Sequence, residues 1–119
     1  MSFAPAAIAQ GAPTGVGRTD LLRRDLSTPQ IEVIQVRVDF APGAAAPRHS
    51  HPGEEIAYAI DGVMEYQLEG QSPVTLRAGQ VLFIPPGTIH SVKNLSRAPA
   101  AELATYIVKK GEPLLVLAQ

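Results

Sequence analysis

The chain contains no cysteine, so neither a disulfide nor a thiolate can contribute to its stability or its chemistry. This says little about compartment, because a disulfide-free protein folds on either side of a membrane. Charge is also sparse: only 18% of residues are charged and the formal net charge is −1. Arg18, Arg23 and Arg24 form the main grouping of basic residues, and there is no block of like charge. A nucleic-acid backbone needs a basic face, so nucleic acid is not expected as a partner. No apolar run approaches the ~20 residues of a membrane helix, and no membrane partner is expected. Internal repeats and a low-complexity core are missing too, and no segment keeps a helical period over three turns.

What the chain does have is short alternating apolar runs between turn signals. Its 119 residues, 45% of them hydrophobic, suffice for one domain around one core. Ile34, Val36, Val38 and Phe40 alternate with Gln35, Arg37 and Asp39, the period-two pattern of a half-buried strand. Met64, Tyr66 and Leu68 alternate with polar residues in the same way. Val81-Leu-Phe-Ile84 is continuously apolar and reads as a strand buried on both faces. Further strands are expected at 54–60, 73–77, 89–94, 101–109 and 113–118, and Asp20 to Asp25 reads as a strand in preference to a short helical turn. Many short strands with turns between them indicate an all-β sandwich or barrel. The domain is expected over residues 18–119, behind a flexible tail at 1–17 rich in alanine, proline and glycine.

Within that tail, Ala7-Ile8-Ala9 before Gln10 has the small-x-small form of a signal-peptidase site, without a positive n-region or an adequate apolar h-region. Two readings stay open: an ordinary tail on a cytoplasmic protein, or the trimmed remnant of an export signal on a periplasmic or secreted one.

Turn chemistry punctuates the strands. Asp61-Gly62 between two alternating runs signals a type I′ hairpin, and Glu69-Gly70-Gln71 a slightly longer turn. Pro86-Gly87 suits the centre of a type II turn, with φ fixed by the ring and positive φ supplied by glycine. These residues place others and do no chemistry themselves.

The chemistry resides in the three histidines, His49, His51 and His90, the only ones in the chain. Residues two apart on a strand share a face at a rise of ~3.3 Å per residue, so His49 and His51 can converge on one ion. Pro52-Gly53 supplies a turn that brings Glu54 or Glu55 back toward the same point, and His90 arrives from a distant strand. Three imidazoles and a carboxylate suit one divalent transition metal, iron, manganese, nickel, copper or zinc, better than calcium or magnesium. Four ligands leave one or two positions open on a six-coordinate ion, the arrangement of a catalytic site.

The two stretches carrying these residues run from Gly43 through His49, His51 and Glu55 to Gly62, and from Gly79 through Pro85, Gly87 and His90 to Asn94. They resemble the two motifs of the cupin superfamily, G-x5-H-x-H-x3-E-x6-G and G-x5-P-x-G-x2-H-x3-N, with every fixed position filled. The short spacer, Val63 to Ala78, makes the chain similar to small single-domain bacterial cupins. The resemblance implies a double-stranded β-helix, or jelly-roll, barrel with one metal held by His49, His51, Glu55 and His90. Motif spacing selects Glu55 over Glu54, which is expected at the rim or in solvent.

In such a barrel, Tyr58, Met64, Tyr66, Phe83 and Tyr106 are expected to line the ligand pocket. With few charged residues beyond Arg48 and Glu54 at the rim, the pocket is expected to be mostly apolar and to take a small, uncharged or aromatic molecule. Three functions fit the resemblance: a metal-dependent oxidoreductase of dioxygenase type, a metal-dependent lyase or isomerase with Tyr66 or Tyr106 carrying a proton, and a non-catalytic small-molecule-binding protein. The oxidoreductase is the leading expectation. Apolar terminal sequence at Leu21-Leu22 and Leu114 to Leu117 points to a homodimer, the association such small cupins commonly show.

Overall fold

A computed structural model describes residues 15–119, which form ten strands and no helix. The strands are β1 (Val16–Asp25), β2 (Ile31–Phe40), β3 (Ala45–Ser50), β4 (Gly53–Asp61), β5 (Val63–Leu68), β6 (Val74–Arg77), β7 (Val81–Ile84), β8 (His90–Asn94), β9 (Ala100–Lys109) and β10 (Val116–Leu117). They build two five-stranded sheets, ordered β1-β2-β9-β4-β7 and β10-β3-β8-β5-β6. Every pairing is antiparallel. The architecture is the double-stranded β-helix jelly roll.

The core follows from the alternation. Ile34, Val36, Val38 and Phe40 of β2 turn inward beside Ala104, Tyr106 and Val108 of β9, and face Met64, Tyr66 and Leu68 of β5 and Val92 of β8. At the far end Asn94 is fully buried, and its amide donates to the carbonyls of Phe40, Ala41 and Ala98, so the last residue of the second motif clamps a corner.

Several expectations require correction. Val16 and Gly17 belong to β1, paired with Phe40 and Asp39, so the domain starts before Arg18. The remainder of the expected tail, residues 1–14, and with it the Ala7-Ile8-Ala9 reading, lies outside the described residues. Asp61-Gly62 does not close a hairpin, because β4 pairs with β9 and β7 while β5 pairs with β8 and β6. Gly62 turns the chain from one sheet into the other with φ 78°, packed so tightly that a Cβ there would lie 2.7 Å from that of Ala100. β7 is an edge strand with Val81 and Phe83 more than half exposed, so it is not buried on both faces. The strand expected at 113–118 shrinks to Val116–Leu117. Gly70, at φ 80°, does sit in the turn of the β5–β6 hairpin.

Candidate metal centre

Strands from both sheets bring four side chains together at one end of the barrel. His49 lies on β3 and is paired across the ladder with His90 at the start of β8. His51 follows one residue beyond β3. Glu55 comes from the opposite sheet, on β4, paired with Tyr106 of β9. Local backbone chemistry fixes these positions. Gly53 opens β4 against the carbonyl of Ile107, where a Cβ would come within 2.1 Å of that oxygen, so only glycine allows β4 to lie this close to β9. Thr88 N–H donates to the Pro85 carbonyl at 3.3 Å, and Gly87 takes φ 70°, as the turn chemistry of Pro86-Gly87 requires. Gly87 N–H also donates to the His51 carbonyl at 3.0 Å, tying the two histidine segments together.

The imidazoles are oriented from behind. Each Nδ1 meets a backbone carbonyl: His49 that of Pro47 at 2.6 Å, His51 that of Leu114 at 2.7 Å, and His90 that of Thr88 at 2.9 Å. A carbonyl only accepts, so in the neutral rings Nδ1 carries the hydrogen and Nε2 presents a bare lone pair. Such outer contacts fix the tautomer and ring plane of a metal-binding histidine. One ring nitrogen from each histidine lies within 4.8 Å of the others, and all three residues are buried. Glu55 Oε1 stands 3.1 Å from His51 Nε2 and 3.3 Å from His90 Nε2.

Burial and proximity set the charges. Burial drives His49 down to about 4, so its ring is neutral at pH 7. Burial opposes ionisation of Glu55, but its contacts with His51 and His90 prevail and hold it down at about 2. For His90, burial favours the neutral ring, and the neighbouring Glu55 carboxylate outweighs it and raises the pKa. Despite their 3.1 Å approach, His51 Nε2 and Glu55 Oε1 are closed off from solvent and neither has a well-directed hydrogen bond. Two buried, unsatisfied polar atoms aimed at one point normally cost a kilocalorie or more each, roughly 1–3 kcal/mol. A divalent cation bound there would satisfy both. The donor set therefore fits a metal, and the three buried imidazoles can hold one.

The five expected pocket residues divide. Met64, Tyr66 and Tyr106 point inward and are buried, and the Tyr106 ring packs 4.5 Å, centroid to centroid, from that of His51. Met64 pairs with Asn94 at the far end of the barrel. Tyr58 and Phe83 face outward, 44% and 56% exposed, because Glu55, Ala57 and Ala59 take the inner face of β4 and Leu82 and Ile84 that of β7. They do not line the interior. Glu54 also faces outward, with the parity opposite to that of Glu55, and Arg48 is engaged with Glu69 at 2.9 Å.

The interior is largely apolar, but it also holds an acid outside the ligand set. Glu102 is buried at the same parity as Ala104 and Tyr106, and accepts a hydrogen bond from the Tyr66 hydroxyl. Burial, then the charge of Glu55, pushes Glu102 up to about 8. Burial also raises the pKa of Tyr66 and Tyr106, keeping both phenols protonated. Arg18 reaches in from β1, its guanidinium donating to the Tyr106 hydroxyl at 3.4 Å. A glutamate in register with the apolar face of β9 was visible in the sequence; the reach of Arg18 across β2 was not.

Comparison with known proteins supports this picture. The profile of the cupin domain family matches residues 36–107. Germin-like protein 1-1 of Oryza sativa subsp. japonica is 34% identical over 79 residues, which is 62% of this chain and 37% of that protein. Germin-like protein subfamily 2 member 2 of Arabidopsis thaliana is 31% identical over 81 residues, 64% of this chain and 37% of that one. The chain thus spans little more than a third of these plant relatives. Among solved structures, an oxalate oxidase in complex with the substrate analogue glycolate superposes with TM-score 0.72 at 27% identity, over 91% of this chain and 57% of that one. The DMSP lyase DddQ from Ruegeria pomeroyi DSS-3 superposes with TM-score 0.72 at 25% identity, over 87% of this chain and 51% of that one.

Proposed function

This chain belongs to the cupin domain family, and from that premise we propose that it is a metal-dependent oxidoreductase acting on a small molecule, with His49, His51, Glu55 and His90 as ligands of one divalent transition metal. The observation that carries this reading is the convergence of three backbone-oriented imidazoles on a buried carboxylate whose Oε1, like His51 Nε2, has no well-directed hydrogen bond. A nitrogen-rich set with one carboxylate favours manganese, iron, nickel, copper or zinc. When bound, such an ion supplies Lewis acidity and, if redox-active, electron transfer to dioxygen. The likeness to an oxalate oxidase supports the redox assignment within the same fold. The chain's own residues do the rest: the carbonyls of Pro47, Leu114 and Thr88 hold the rings in place, and Tyr66, Tyr106 and Glu102 keep their protons inside the barrel.

The test is oxygen uptake by protein loaded separately with manganese, iron, copper, nickel and zinc, screened against small acids, phenolics and thiols. Turnover is expected with a redox-active ion, lost in His49→Ala and absent with zinc. Equal turnover by the zinc form, or turnover that proceeds unchanged without oxygen, would replace this reading with a non-redox lyase or isomerase. That second reading has its own support in the protonated Tyr66–Glu102 pair, an internal acid suited to proton transfer.

A further inference from the structure

Arg18 stands apart from the other inward-reaching basic residue of β1. Arg23 is paired with Glu32 at 3.2 Å, whereas among the described residues Arg18 makes no ion pair and its side chain hydrogen-bonds the Tyr106 hydroxyl, within electrostatic reach of Glu102. Its strand is the edge of its sheet, and the residue is exposed, so the guanidinium runs from solvent to a hydroxyl that is itself buried in the barrel. Arg18 pairs across the ladder with Val38, and Val38 with Glu102, so cation and buried acid share one row of the inner face. One tyrosine side chain, Tyr106, separates the guanidinium from the His51 ring.

We propose that Arg18, with the Tyr106 hydroxyl and the Tyr66–Glu102 pair, forms an anion-binding subsite beside the metal centre, and that it selects a small carboxylate. The planar guanidinium fork matches a carboxylate with two parallel hydrogen bonds, and among the described residues no ion pair occupies it. The neighbouring groups agree with an anion. The Tyr66 hydroxyl donates to Glu102, and Glu102, pushed up to about 8 chiefly by burial, is mostly neutral at pH 7. A ligand held at Arg18 would lie one tyrosine side chain, Tyr106, from the His51 ring. This assignment names the substrate class of the site proposed above and rests on the metal assignment, but not on redox turnover.

The experiment is calorimetric titration of acetate, glycolate and oxalate into zinc-loaded protein under anaerobic conditions, with glycolamide as the uncharged control and metal content measured on every sample. The wild-type protein is expected to bind at least one carboxylate and not glycolamide. Arg18→Gln should weaken that binding by about tenfold or more, as loss of a charge-assisted pair implies, with Arg18→Lys intermediate and Arg23→Gln unchanged. Carboxylate binding of undiminished strength in Arg18→Gln, or none in the metal-loaded wild type, overturns the subsite and leaves the metal assignment standing. A wild type that takes up no metal overturns the metal assignment itself.

Discussion

Glu55 Oε1 lies 3.1 Å from His51 Nε2 and 3.3 Å from His90 Nε2, all three side chains being almost wholly buried. A carboxylate so placed is either one half of a proton-sharing cluster or a ligand beside ligands, and metal stoichiometry separates the two.

One divalent ion per chain is therefore expected by elemental analysis. Glu55→Gln and His90→Ala should each lower affinity by about tenfold or more, since losing one of four donors removes a full coordinate bond. Glu54→Gln, altered on the outer face of β4, should leave metal content unchanged. If Glu54→Gln loses metal and Glu55→Gln keeps it, the carboxylate assignment is wrong.

Metal removal should destabilise the fold, because the ion binds only where the barrel has gathered its ligands. At a free metal concentration of a hundred times Kd, the gain is about 2.7 kcal/mol. Thermal unfolding with and without chelator measures it, and His49→Ala should show little difference between the two conditions.

Glu102 gives the pH dependence a sign. Its pKa is raised from the ordinary carboxylate value to about 8 in the folded state. Between those two values the native state holds a proton that the unfolded chain has released. This contribution is fully present below the unfolded pKa and is lost as pH rises through about 8. Glu102→Gln carries no such proton, so its stability relative to wild type should improve steadily from pH 5 to pH 8, on the order of a few kcal/mol. Parallel denaturation curves across that range would show that Glu102 is ionised in the fold.

Two glycines separate steric from conformational need. Gly53→Ala places a Cβ against the Ile107 carbonyl and should destabilise by about 2 kcal/mol or more. Gly43→Ala meets nothing within 4 Å and carries only the strain of φ 75°, so about 1 kcal/mol is expected. Urea denaturation of both variants checks the order.

The terminal strands predict association. β1 and β10 are each the edge of a sheet, and Leu21 and Leu117 are 54% and 55% exposed on them. Exposed apolar edges invite a second chain, so a homodimer is expected in sedimentation at micromolar concentration, weakened by Leu117→Lys. A purely monomeric profile would remove the expectation.

Most strands and the ligand candidates are legible in the sequence, because both are written in short-range spacing. Alternation of two placed β2 and β5, and the interval between His49 and His51 put two imidazoles on one side of the chain. Glu55 was set apart from Glu54 by motif spacing alone, and on β4 it is Glu55 that is buried. What tertiary structure decided is everything that depends on which strand lies beside which. Asp61-Gly62 has the composition of a hairpin, and only the packing of Gly62 on Pro99 and Ala100 makes it a corner between sheets. Val81 to Ile84 is apolar enough for a central strand, yet falls at an edge where Phe83 meets solvent. The polar grouping inside the barrel depends on the same neighbour relations. Glu102, Tyr66 and Arg18 come from β9, β5 and β1, and no local pattern records that an arginine on an edge strand reaches a tyrosine 88 residues away.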